Sequence, residues 1–109
     1  MSNDRARLQF INEKIDDLMS FRDQFGTIVA LLDDTMGFDA TLMCLLQIDE
    51  TLHKLKDSPH KDILPIRGAY DVRNFIAHDY EGVNKAIVED VIRHHIPILQ
   101  ETIQTLLAE

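Results

Sequence analysis

The chain has 109 residues, 45% of them hydrophobic and 28% charged, and this balance is typical of a soluble globular protein with one domain, residues 1–109. No run of about 18 apolar residues predicts a membrane span, and the first residues lack the apolar core of a signal peptide. The lone Cys44 excludes an internal disulfide and fits a reducing cytoplasm, while the formal net charge of −8 argues against nucleic-acid binding over the whole surface.

The first predicted element is a helical stretch that starts near the N-terminus, where Asn3 or Asp4 can cap it. Gly26 is the predicted joint, so the stretch is either one long helix or two nearly collinear helices. Apolar side chains recur every three or four residues along it: Leu8, Ile11, Ile15, Leu18, Phe25, Val29 and Leu32. This stripe fits an ordinary core face, and it also fits a face shared with a second copy of the chain.

A third helix is predicted after Gly37, which interrupts the pattern, with Asp39 as its cap and an end near Lys56. Its apolar residues leave little of the helix polar: Leu42, Leu45, Leu46, Ile48 and Leu52. We therefore expect this helix to lie at the centre of the fold. Cys44 lies among these residues and is predicted to pack in the core rather than to react.

Residues 57–59 end the third helix, and a fourth helix is predicted over residues 69–78. At about 100° per residue, five residues share one side of it: Tyr70, Arg73, Asn74, Ala77 and His78. Asn74 and His78 can touch, whereas Arg73 and His78 lie roughly 140° apart, too far for a direct pair on one straight helix. Arg73 and His78 must therefore converge on something between them or on a partner surface.

The side chains at the end of this helix permit a narrow range of chemistry. A His that titrates near neutral pH can move a proton on and off a hydroxyl, and an Arg offers paired donors to a phosphate. His78 and Arg73 together therefore suit metal-free cleavage of a phosphodiester. They also fit a structural role, in which His78 caps the helix and Arg73 pairs with Asp79 or another acid. Tyr80 would then fill the edge of the core.

The last predicted helix starts after Asn84, and Pro97 is expected to remove the hydrogen bond to Arg93 and kink it. Its apolar side is predicted from Ile87, Val88, Val91, Ile92, Ile98, Ile103, Leu106 and Leu107. His94 and His95 point about 100° apart on a helix, with no carboxylate or cysteine to complete a ligand set, so no metal site is predicted. The absence of alternating strand patterns predicts an all-α fold, an up-and-down bundle of four to five helices.

The acidic surplus is unevenly distributed. Residues 1–52 carry 4 Lys or Arg against 10 Asp or Glu (net −6), residues 53–95 carry 7 against 7 (net 0), and residues 96–109 carry 0 against 2 (net −2). The five histidines all fall in the middle stretch. A local phosphate site is therefore compatible with the overall charge, with four basic residues available for it: Arg67, Arg73, Lys85 and Arg93.

The sequence resembles the HepT family of HEPN-domain toxins, whose signature R-x4-H-x-Y is matched here by Arg73, His78 and Tyr80. Further strings of the chain are similar to the family: Asp39-Ala40-Thr41-Leu42-Met43, Leu46-Gln47-Ile48-Asp49-Glu50, Ile66-Arg67-Gly68, Gly82-Val83 and Ile96-Pro97-Ile98-Leu99. One departure is Asp49, where the family often has Gly, and another is a slightly longer spacing between Arg67-Gly68 and Arg73. The resemblance covers most of the chain and implies a HEPN-like helical bundle.

The resemblance implies an endoribonuclease, the toxin of a type VII toxin-antitoxin system, and a homodimer that brings two copies of the motif into one cleft. In that family, the residue matched by His78 acts as acid or base at the ribose 2′-hydroxyl, and the one matched by Arg73 stabilises the phosphate. Asn74, one turn before His78, would orient the His78 ring or the substrate. A 2′-hydroxyl nucleophile needs no metal or other cofactor, and DNA, which lacks this group, is not cleaved.

The resemblance also implies a partner, an MntA-like nucleotidyltransferase antitoxin that transfers AMP from ATP to Tyr80. The added charge and bulk, two residues from His78, would block an RNA phosphate. An alternative hypothesis is a non-catalytic HEPN binding module that docks a nucleotidyltransferase through Tyr80 and the polar side of the helix. A purely structural dimer is a third.

Overall fold

A computed structural model describes residues 3–56 and 85–109 of the chain. All regular elements within these two ranges are helical, and they follow in the order α1 (Asp4–Phe25), α2 (Ile28–Asp33), α3 (Thr35–His53), α4 (Lys85–Asp90), a π-helical turn (Val91–His95) and α5 (Ile96–Ala108). Because α4, the π turn and α5 follow one another without a break, they form one C-terminal helical run. The predicted all-α bundle is confirmed.

The core forms where α1 packs against α3 and α5, and where α2 packs against α3. The predicted stripe of α1 is buried through Leu8, Ile11, Ile15 and Leu18. From α3, the C-terminal run and the neighbouring turns, the core receives Leu42, Leu45, Ile48, Leu52, Leu55, Val88, Val91, Ile92, Ile96, Leu99 and Ile103. The central position predicted for α3 is therefore correct, since its apolar side is covered by the chain's own helices.

The joint predicted at Gly26 is also correct, but the stripe does not continue across it. Gly26 ends α1 with a φ of 91°, a left-handed conformation that glycine adopts without strain. This turn resets the helical phase, so α2 buries Ile28, Leu31 and Leu32 instead. The prediction that Phe25 and Val29 belong to the same buried stripe is wrong, because both side chains are exposed.

The start of α3 differs from the prediction. Asp34, not Asp39, caps the helix: its Oδ2 accepts a hydrogen bond of 2.8 Å from the Gly37 backbone N–H. Gly37 therefore lies in the first turn of α3 rather than before it. It is buried against the backbone of Leu31, and that close approach explains a glycine at this position.

The C-terminal run accommodates its proline by widening one turn. Pro97 has no backbone N–H to donate to the carbonyl of Arg93. The N–H of the preceding residue, Ile96, donates to the carbonyl of Val91, five residues back, which makes this turn a π turn rather than an α turn. The loss of the bond to Arg93 was therefore anticipated, whereas the π turn was not. Ile98 was wrongly placed on the buried side: it lies about 140° from the buried Ile103 on a helical wheel and is 55% exposed.

Candidate functional site

The four residues predicted to carry the chemistry, Arg73, Asn74, His78 and Tyr80, lie outside the described residues, as do the predicted fourth helix and Asn84. The described helices instead define the two points at which the chain enters and leaves residues 57–84, which we call the signature segment. The geometry of these two points shows how the described residues on either side of the segment are fixed.

A buried carboxylate fixes the backbone of Lys56, the last described residue before the signature segment. Asp4 is only 1% exposed, and its Oδ1 and Oδ2 accept the backbone N–H of Lys56 at 3.0 and 3.1 Å. Arg7 approaches the same carboxylate, with Nη1 3.5 Å from Oδ1. Asp4 therefore does not cap α1, and Asn3, which occupies the cap position, makes no side-chain capping bond. Sequence spacing gave no signal for a contact between residues 52 positions apart.

The end of the signature segment is held by contacts at the surface. Lys85, the first residue of α4, places its Nζ 3.7 Å from Asp33 Oδ1 and 5.7 Å from the centre of the Phe38 ring. The side chains of Lys85 and Asp33 are 53% and 67% exposed, so water competes with this ion pair. Deeper attachment comes from Val88, which packs in the core one turn later.

The C-terminal half of α3 carries the departure from the family pattern. Asp49 is buried, and its Oδ1 lies 3.6 Å from Nδ1 of His53, one turn further along the helix. The same His53 nitrogen lies 2.8 Å from the Asp49 backbone oxygen. A carboxylate side chain is therefore accommodated here inside the packed part of the helix.

The π turn contains three basic side chains, and each of them faces a carboxylate. Arg93 Nε donates to Glu89 Oε2 at 2.8 Å. The Nε2 atoms of His94 and His95 lie 3.9 and 3.6 Å from the two carboxylate oxygens of Asp90. Among the described residues, no group of three or more His, Cys, Asp or Glu side chains is arranged to hold a metal ion. The sequence analysis did not predict the π turn, and the one signal for a local distortion was Pro97, which has no N–H to donate.

Cys44 is a core residue, as predicted. It is buried, and this burial raises the pKa of its thiol, with the nearby Lys14 ammonium acting in the opposite direction. A thiol with a raised pKa is mostly protonated at neutral pH and is a poor nucleophile. Catalysis by Cys44 is therefore not supported.

Comparison with known proteins identifies the family. The sequence model of the family described as "Ribonuclease HepT-like" matches residues 11–106, nearly the whole chain and including Arg73, His78 and Tyr80. No curated protein and no solved structure matches the chain. No helix in the described ranges is long and apolar enough to cross a membrane. With the family match and the all-helical fold, the chain belongs to the HepT-like ribonuclease family.

Proposed function

We propose that this protein is the toxin of a type VII toxin-antitoxin system, a metal-independent endoribonuclease that acts on RNA in the cytoplasm. The observation that supports this most is the family match over residues 11–106, which contains the full R-x4-H-x-Y signature. The bond between Lys56 and the buried Asp4 adds support, because a fixed backbone next to the signature segment suits a site that requires defined geometry.

In the proposed reaction, His78 removes the proton from a ribose 2′-hydroxyl, and the resulting oxygen attacks the adjacent phosphorus. The bond from phosphorus to the 5′-oxygen breaks, and that oxygen takes up a proton. The products are a 2′,3′-cyclic phosphate and a 5′-hydroxyl. Arg73 stabilises the negative charge on the phosphate with its paired donors, and Asn74 orients the ring or the substrate.

A homodimer is part of the proposal, because Arg73 and His78 are too far apart on one straight helix for a direct contact, and a second copy of the chain offers one way for them to converge. Across a two-fold axis, Arg73 of one copy can approach His78 of the other, and the cleft then contains two copies of each residue. Mixing an inactive Arg73→Gln chain with an inactive His78→Ala chain tests this directly. Recovery of part of the activity supports a composite site, whereas no recovery from a verified mixed dimer contradicts it.

Tyr80 is the proposed site of neutralisation by an MntA-like nucleotidyltransferase. Its phenolic oxygen would attack the α-phosphorus of ATP, so that AMP becomes attached and pyrophosphate leaves. Intact-mass measurement after incubation with ATP, Mg²⁺ and the nucleotidyltransferase encoded beside this protein tests the step. We expect a mass gain of one or more adenylyl groups that is mapped to Tyr80 and absent in Tyr80→Phe. No gain with a partner active on another substrate contradicts it.

One observation favours the alternative of a non-catalytic module that docks a nucleotidyltransferase: the net charge of −8, which repels RNA at long range. Arg73→Lys separates the two functions, because lysine keeps the charge but loses the paired donors. As an endoribonuclease, the protein should lose most of its RNA cleavage with this change. As a docking module, the wild-type protein should cleave no RNA and both forms should bind the partner equally.

A further inference from the structure

An open groove of about 570 Å³ lies where the start of α1 meets the end of α3. We call it the α1–α3 groove, and six of the described residues line it: Asn3, Ala6, Arg7, Phe10, Thr51 and Lys54. These six residues include two cations and no carboxylate. In a chain with 19 acidic and 11 basic residues, such a surface departs from the average charge and is complementary to a phosphate.

The two cations of the groove retain donors for a ligand. Lys54 is exposed, and no acidic side chain in the described part of the chain pairs with it. Arg7 reaches Asp4 with one nitrogen at the long distance of 3.5 Å, which leaves most of its five N–H donors available. The basic side chains of the π turn are less available to a ligand, because Arg93 already donates a 2.8 Å hydrogen bond to Glu89.

The remaining lining suits a nucleotide strand. Phe10 offers a partly buried aromatic ring against which a base can stack. Asn3 has a side-chain amide that is not used to cap α1. The groove also borders the N-terminal end of the 22-residue helix α1, where the helix dipole favours negative charge.

We infer that the α1–α3 groove binds the single-stranded part of an RNA substrate, with Arg7 and Lys54 at backbone phosphates and Phe10 against a base. This inference rests on the proposed ribonuclease function. It assigns the groove to substrate binding away from the bond that is cleaved. Lys54 lies two residues before Lys56, whose backbone is bonded to Asp4. A bound strand would therefore pass close to the point where the chain enters the signature segment.

Binding of a fluorescently labelled single-stranded RNA, followed by anisotropy, tests the inference. All chains carry His78→Ala so that the RNA stays intact during the measurement. Lys54→Gln is the deciding variant, because Lys54 is exposed and its loss should not affect the fold. We expect the Kd to rise roughly three- to tenfold and the slope of log K against log salt to fall by about 1.

Two more variants and a matched control complete the test. Arg7→Gln should act like Lys54→Gln, and Phe10→Leu should raise the Kd several-fold by removing the stacking surface while keeping an apolar side chain. Arg22→Gln is the control: Arg22 is a cation on the same helix that is already bonded to Asp23 at 3.0 Å, so the Kd should not change. Thermal unfolding of each chain checks that the fold is retained.

The outcomes separate the groove from the function. If Lys54→Gln and Arg7→Gln leave the Kd and the salt slope unchanged, the groove assignment is overturned. In that case the proposed function still stands if the wild-type protein cleaves RNA and His78→Ala does not. No RNA binding and no cleavage overturns both. Unchanged RNA binding with weaker binding of the nucleotidyltransferase also overturns the inference and makes the groove a protein-docking surface.

Discussion

The two ends of the signature segment are held in opposite ways. At its start, a backbone N–H of Lys56 is bonded inside the protein to the buried Asp4 carboxylate. At its end, the Lys85 ammonium meets Asp33 at the surface, 3.7 Å away. A hydrogen bond to a charged group contributes about 1.5–3 kcal/mol, whereas an exposed ion pair contributes about 0–1 kcal/mol. The first end is therefore fixed by the buried interior, and the second depends mainly on the packing of α4.

Removing the buried anchor should give the largest effect. We expect Asp4→Ala to lower the free energy of unfolding by about 2–3 kcal/mol, because the Lys56 N–H loses its hydrogen bonds to a charged group that is only 1% exposed. Urea denaturation measures this change. Glu13→Ala, an exposed acid on the same helix, is the matched control and should cost less than about 0.5 kcal/mol. Equal losses for the two variants would contradict the role of Asp4.

Gly37→Ala tests the packing that supports the second anchor. Gly37 packs against α2, and α2 carries Asp33, the partner of Lys85. A methyl group at Gly37 would collide with the backbone oxygen of Leu31. We expect a loss of about 1–2 kcal/mol, although alanine is normally the better helix former. Denaturation of the purified variant measures the sign. A gain in stability would mean that the backbone of Leu31 moves away from the added methyl group at little cost in free energy.

Asp33→Asn should have the smallest effect. The exposed pair with Lys85 is screened by water and salt, so the loss should stay below about 1 kcal/mol and disappear near 1 M salt. Unfolding temperatures at low and high salt provide the measurement and its internal control. A loss as large as that of Asp4→Ala at both salt concentrations would show that the two anchors are equivalent.

Apolar spacing predicted the elements that depend on local sequence. The stripe from Leu8 to Leu18 and the core face of α3 are buried as expected, because regular helices place every third or fourth residue on one side. Spacing failed where the phase of the helix changes. Gly26 redirects α2 and leaves Val29 exposed, and the π turn before Pro97 has no counterpart in a regular wheel.

Other features were beyond sequence reasoning because they depend on the folded chain. Asp39 was the predicted cap of the third helix, and only the bond from Gly37 in the folded chain shows that Asp34 takes this position. The contact between Asp4 and Lys56 joins distant residues, so no local pattern indicates it. Arg73, His78 and Tyr80 were found through the family signature, whereas their convergence across a dimer stays a prediction.

Cleavage of RNA by purified protein in EDTA, with and without His78→Ala, tests ribonuclease activity most directly. We predict that the wild type produces fragments with 2′,3′-cyclic phosphate and 5′-hydroxyl ends, and that His78→Ala lowers the rate at least about 100-fold while its unfolding temperature is unchanged. Wild-type protein that cleaves no RNA under these conditions, or a His78→Ala chain that cleaves as fast as the wild type, would contradict the proposed function.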